Sequence, residues 1–279
     1  SNIGYAPDLK QMYDFFHPVA RQVEKSGRVI IIGRPPEECE SIGETLAQRA
    51  LEGFVKSVGK EFKNGITAQL LYVSKGAEAN LDSSLRFFIS ARSAYVSGQV
   101  VRIGEGNTEE VDWSKPLAGK TILVTGASRG IGESMARVLA RDGAHVICLD
   151  VAQQQADLQK VAGEIGGSTL ALDITAEDAG QKIAEAAAKR NGLDGIIHNA
   201  GVTRDKTLAK MDEKQWNMVI DINLQSIAVI NDYLFENDVL NENARIVCVS
   251  SISGIAGNLG QTNYATSKAG VIGLVNATA

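Results

Sequence analysis

The chain has 279 residues, enough for one large α/β domain or two smaller ones. Its 44% hydrophobic content and 28 glycines suit an α/β protein with tight turns, and no apolar run approaches the ~20 residues that span a bilayer. The net charge of −5 argues against nucleic-acid binding, and three scattered cysteines and three scattered histidines show no metal-ligand spacing.

In chain order, the pattern predicts a helix over Tyr5 to Lys25 and a buried strand over Arg28 to Gly33. A helix over Glu37 to Phe62 follows, with Leu46, Ala50, Phe54 and Val58 on one face. Next come a strand over Thr67 to Val73, a helix over Leu81 to Tyr95 and a strand over Gln99 to Ile103. The polar stretch Gly104 to Pro116 has no periodicity and reads as a linker, dividing the chain into domains 1–113 and 114–279.

The pattern then restarts. Strands are predicted at Thr121 to Thr125, His145 to Asp150, Thr169 to Leu172, Gly195 to His198 and Ile246 to Val249. Helices are predicted at Glu133 to Arg141, Leu158 to Ile165, Ala176 to Lys189 and Trp216 to Phe235, with another helical pattern through Tyr264. Alternating strands and helices mean a doubly wound, Rossmann-like parallel sheet covered on both faces. Cys148 and Cys248 fall inside apolar strand runs and read as buried free thiols. Ser1 to Lys10 lacks the basic-then-apolar order of a signal peptide, so a cytoplasmic location is expected.

TGASRGIG, Thr125 to Gly132, follows a strand and opens a helix. Gly126, Gly130 and Gly132 let the backbone turn sharply and approach a pyrophosphate, which rests on helix N-terminal amides. Asp150 follows eighteen residues after Gly132, at the end of the next strand, where an acid can accept from ribose hydroxyls. That acid repels a ribose phosphate, so NADH is preferred and NADPH remains possible, because the Arg129 guanidinium suits phosphate. Tyr264 and Lys268 lie four apart and share a helix face. A free tyrosine has a pKa of about 10. A neighbouring ammonium favours the phenolate and makes the phenol a better proton donor. Ser251, at a strand end, can hold a substrate carbonyl.

Together TGASRGIG, HNAG (His198 to Gly201), Asn223 in DINLQS, Ser251 and YATSK resemble the short-chain dehydrogenase/reductase family, in consistent order from about Lys115 to Ala279. GNLGQTNYATSKAG and NAGVTRDKTLAKM look like the beta-ketoacyl-[acyl-carrier-protein] reductases within it. The resemblance implies an NAD(P)H-dependent reduction of a 3-oxoacyl thioester on acyl-carrier protein or CoA. It implies Tyr264 as general acid, Lys268 as its activator and a ligand of the nicotinamide ribose, Ser251 on the carbonyl and Asn223 holding a relay water. For the cofactor it implies Gly126, Ser128, Arg129, Gly130, Ile131 and Gly132 in the loop. It adds Asp150, then Asp173 and Ile174 near the adenine, and Asn199, Ala200 and Gly201 beside the central sheet. His198 departs from the family's usual asparagine and reads as a strand-end histidine satisfied by backbone.

Two other readings stand beside this one. One is a dehydrogenase of a hydroxyacyl-CoA or secondary alcohol; the other is a cofactor-binding partner whose activity has decayed.

The first segment resembles a damaged copy of the second. GRVIIIG at Gly27 resembles ARIVCVS at Ala244, and ALEGFVKSVGKEF at Ala50 resembles GVIGLVNATA at Gly270. On these anchors Arg34, Glu44 and Gln48 fall opposite Ser251, Tyr264 and Lys268. A degenerate, non-catalytic domain fused ahead of a live one resembles the high-molecular-weight beta-ketoacyl reductases. It favours a homodimer, with a tetramer possible. No phosphate loop supports a flavin site there. Against the family's pattern the first segment begins at mid-domain, and the second stops before its closing strands and substrate lid.

Overall fold

The computed structural model describes residues 3–106 and 111–279. Its backbone divides into two compact units, Ser1–Glu110 and Val111–Ala279. Of the expected linker, residues 107–110 lie outside the described residues.

The first unit is a three-stranded parallel sheet in the order β1 (Arg28–Gly33), β2 (Thr67–Val73), β3 (Gln99–Ile103). Every residue of β2 is buried, as expected for a central parallel strand covered on both faces. Before β1 comes α1 (Lys10–Val19), between β1 and β2 lies α2 (Ile42–Glu61), and before β3 lies α3 (Leu81–Ile89). Ala47, Leu51, Val55 and Val58 of α2 pack with Val29, Ile31 and Leu70 on one face. Phe88 of α3 packs with Leu71, Val73 and Ile103 on the other. Both crossovers step to the next strand in the same direction but over opposite faces. They therefore have opposite hands, a departure from the usual right-handed rule.

Three helix features differ from the expected pattern. The first helix runs only from Lys10 to Val19, after a 3₁₀ turn at Ala6–Leu9. Pro18 lacks an N–H and crowds the preceding turn, so the helix ends one residue later. The buried stripe of α2 is Ala47, Leu51, Val55 and Val58, and Leu46 is exposed. The third helix stops at Ile89 because Ser90 is extended (φ −82°, ψ 165°) and caps a separate turn, Ala91–Ser93.

The second unit is a five-stranded parallel sheet built from β4 (Thr121–Thr125), β5 (His145–Asp150), β6 (Ser168–Ala171), β7 (Leu193–His198) and β8 (Leu240–Cys248). Their order is β6-β5-β4-β7-β8. Helices α4 (Gly130–Arg141) and α5 (Gln155–Ile165) carry Ala136, Leu158 and Val161 onto one face with Ile122, Val124 and Val146. On the other face α6 (Ala179–Ala188) and α8 (Ser226–Glu236) bring Ile183, Ile230 and Leu234 against Leu123, Ile147 and Ile196. The chain winds outward from β4 to β6, then returns to the opposite side at β7. This reversal opens a crevice at the carboxyl ends of β4 and β7, the usual ligand position in such sheets.

The helix expected over Trp216 to Phe235 is α7 (Glu213–Ile220) and α8 joined by a π-helical turn, Asp221–Gln225. After β8 come the short helix α9 (Ile252–Ala256) and the long α10 (Thr262–Thr278). Among the described residues, no helix is long and apolar enough to cross a membrane.

Candidate active site

The glycine loop lies where β4 meets α4. Gly126 and Gly130 have φ of +69° and +60°, the left-handed region that glycine enters without penalty. A Cβ on Gly132 would overlap the Gly126 carbonyl oxygen, so this position admits only glycine. The first amides of α4 have no intrahelical acceptor, which leaves them for an anion.

The loop is tied across the crevice to β7. Thr125 Oγ1 accepts from the amides of Asn199 (3.0 Å) and Ala200 (2.9 Å). The Asn199 side chain donates back to Thr125 O (3.0 Å) and Gly126 O (3.4 Å).

A cleft of about 350 Å³ opens there. Gly126, Arg129, Asp150 and Asp173 line it. Ile174, Asn199, Ala200 and Gly201 line it as well. Gly130, Ile131 and Gly132 form the first turn of α4, with the Ile131 side chain exposed. Ser128 is buried beneath, donating to Asp150 Oδ2 from its amide (3.1 Å) and hydroxyl (2.6 Å). Asp150 Oδ1 accepts from Val151 N (2.9 Å), so the carboxylate is held from both sides. Asp173 Oδ1 accepts from the amide (2.9 Å) and hydroxyl (2.7 Å) of Thr175 and shapes the turn before α6. The missing Cβ at Gly132, the open helix terminus and the fixed acid fit a dinucleotide: room for its pyrophosphate and an acceptor for its ribose.

The second cluster forms where β8 meets α9 and α10. Lys268 is buried and its Nζ donates to Val249 O at 2.7 Å. The ammonium lies 5.8 Å from the centroid of the Tyr264 ring. Burial pushes the lysine pKa down, partly opposed by Cys248. Ser250 Oγ donates to Lys268 O (2.7 Å), fixing the helix to the strand end from both directions. Ser251 caps α9, its Oγ accepting from Ser253 N (3.2 Å). A Cβ on Gly254 would lie 2.7 Å from the Lys268 main chain. Glycine there lets α9 press on α10 and brings Ser251 to the Tyr264–Lys268 helix.

Asn223 sits in the π turn and is fully buried. Its Oδ1 accepts from Val202 N (2.8 Å), and its Nδ2 donates to Val202 O (2.9 Å) and Ser267 Oγ (3.3 Å). The side chain thus joins α10 to the loop after β7.

His198 corrects an expectation. Its partner is the Asn231 side chain of α8, with Nε2 and Oδ1 2.8 Å apart, and not backbone. Burial pushes the imidazole pKa down to about 4, so the ring is neutral near pH 7 and donates its one N–H to the amide oxygen.

Sequence reasoning missed Thr125 as the acceptor for the HNAG segment, Ser128 as the anchor of Asp150, and the Asn231 partner. Thr125 was signalled by its place at the strand end before the glycines. The other two pairs, 22 and 33 residues apart, left no local pattern.

This is a Rossmann-like α/β unit with a tyrosine–lysine pair on the helix that packs beside the crevice at the strand ends. The sequence profile described as short chain dehydrogenase matches residues 120–279, and the chain belongs to that family. It is 40% identical over 162 residues to the 3-oxoacyl-[acyl-carrier-protein] reductase of Thermotoga maritima, covering 57% of this chain and 66% of that protein. It is 38% identical over 166 residues to the protein of that name from Vibrio cholerae, covering 58% and 67%. Against that of Escherichia coli K12 it is 37% identical over 158 residues, covering 56% and 64%. The chain thus spans about two thirds of the length of these relatives. The family consists of oxidoreductases that use NAD(H) or NADP(H).

Proposed function

We propose that the second unit reduces a 3-oxoacyl thioester, on acyl-carrier protein or CoA, to the 3-hydroxyacyl thioester. The observation that carries this reading is the buried Lys268 ammonium, pinned to Val249 O and held 5.8 Å from the Tyr264 ring. A cation so fixed sets the neighbouring phenol as a proton donor. The names of the relatives support the substrate class.

A bound reduced nicotinamide supplies the hydride for the keto carbon. Tyr264 gives its hydroxyl proton to the carbonyl oxygen as negative charge develops there. Ser251 orients that oxygen by hydrogen bonding, and Lys268 compensates the phenolate left behind. Asn223 keeps the loop and α10 in register. The amides of Gly130, Ile131 and Gly132 receive the pyrophosphate, and Asp150 receives the adenosine ribose. An acid at that place favours NADH over NADPH. The Arg129 side chain, which lines the same cleft, works against this preference.

We read the first unit as reductase-like but without chemistry, with Arg34, Glu44 and Gln48 where the second has Ser251, Tyr264 and Lys268.

The test is loss of reduced-cofactor absorbance with acetoacetyl-CoA, run with NADH and NADPH in parallel. Faster oxidation of NADH is expected. Cofactor binding with no turnover of acetoacetyl-CoA or acetoacetyl-carrier protein would overturn the substrate assignment.

A further inference from the structure

His198 stands where the two halves of the site meet. It is the last residue of β7, directly before Asn199, whose side chain grips Thr125 O and Gly126 O of the glycine loop. Its own carbonyl accepts from Val249 N (3.0 Å). The Val249 carbonyl in turn accepts the Lys268 ammonium (2.7 Å). From the side, its imidazole is held by Asn231, itself 2% exposed and next to the core residue Ile230 in α8.

Burying an imidazole and an amide is costly, and an apolar pair of the same volume would pack without that cost. What the polar pair adds is one fixed orientation, since a buried hydrogen bond is satisfied in a single geometry.

We propose that His198 is a positioning residue. Through its bond to Asn231 it fixes the end of β7, and that strand end sets both the Lys268 ammonium and the glycine loop. The proposal rests on the reductase reading above. It makes the His198–Asn231 pair the common origin of cofactor affinity and proton-donor placement. An error of about 1 Å at such a point is transmitted to reacting groups and costs up to roughly a hundredfold in rate.

His198→Leu and Asn231→Leu break the bond from opposite sides. The double variant His198→Asn with Asn231→His restores a polar pair of the same total volume. Each is compared with wild type for folding by circular dichroism, reduced-nicotinamide Kd by fluorescence, and turnover of acetoacetyl-CoA. The single variants are expected to stay folded, to bind cofactor about tenfold more weakly and to lose at least about tenfold in kcat, with the double variant recovering most of both. Folded single variants with wild-type Kd and kcat would overturn the proposal. So would failure of both to fold, which would make the pair structural only. A wild-type chain that binds cofactor without turnover overturns the reductase reading alone, since Kd still reports the positioning. A wild type that binds neither cofactor overturns both.

Discussion

Gln48 and Lys268 hold the same place in two different helices. Each is the seventh residue of its helix, α2 from Ile42 and α10 from Thr262. The preceding residues, Ala47 and Ser267, are buried, and so are Leu51 and Val271 three positions on. Each reaches back to main chain just past its strand. Gln48 Oε1 accepts from Arg34 N (2.9 Å) after β1, and Lys268 Nζ donates to Val249 O (2.7 Å) after β8. The strand end requires a polar side chain from the helix. Only the second unit makes that side chain a cation, and only there does a tyrosine share its face.

Gln48 is therefore predicted to matter for stability alone. Its Nε2 also donates to Ile3 O (2.7 Å), so Gln48→Leu orphans a half-buried donor and a buried acceptor. Each orphan costs about 1–3 kcal/mol. Urea unfolding should show the loss in the first unit, while turnover per folded molecule stays unchanged. A variant as stable as wild type would contradict the role.

Gly132→Ala drives a methyl group into the Gly126 carbonyl and distorts the loop. Reduced-cofactor Kd should rise by more than about tenfold, since the first amides of α4 no longer converge. Gly163→Ala is the control. It lies in α5 with open space around it, and should leave Kd unchanged while raising stability by up to about 1 kcal/mol.

The His198 pair makes stability depend on pH with a definite sign. The folded-state pKa is lowered to about 4 from 6.5. Between those values the unfolded chain binds the proton and the folded chain does not, so stability rises with pH. The contribution is complete above about pH 6.5 and is lost as pH falls toward 4, amounting to up to about 3 kcal/mol. Urea midpoints at pH 7 and pH 5 for wild type and His198→Asn test this. Wild type should lose more on acidification, and equal losses would contradict the assignment.

Asp150 is predicted to set cofactor choice. Asp150→Asn removes the charge and keeps the shape, leaving the Arg129 guanidinium in the lining of the same cleft. The ratio of kcat/KM for NADH over NADPH should fall by about tenfold, roughly 1.4 kcal/mol of discrimination. An unchanged ratio would place the choice elsewhere.

Strand positions were legible because parallel strands buried on both faces are short apolar runs. β4 and β5 end where their pattern ends, at Thr125 and Asp150. Helix phase was less legible. In α2, Ala47 and Ala50 are equally small, and Phe54 beside the true stripe packs on Phe16 of α1, so the pattern alone could not choose the face. The π turn that buries Asn223 breaks a continuous-looking helix through contacts with Val202 and Ser267, both distant in sequence. The candidate side chains, Ser251, Tyr264 and Lys268 among them, could be picked out one by one from their motifs. The bonds that orient them, Lys268 to Val249 O and His198 to Asn231, arise from tertiary packing.

If Tyr264 donates the proton beside a lysine-held charge, Tyr264→Phe must stop the chemistry and spare cofactor binding. The variant keeps the ring and loses only the hydroxyl. Its reduced-cofactor Kd should stay within about twofold of wild type, and its kcat with acetoacetyl-CoA should fall by about 10²–10⁴. A folded Tyr264→Phe chain that turns over at the wild-type rate would contradict it.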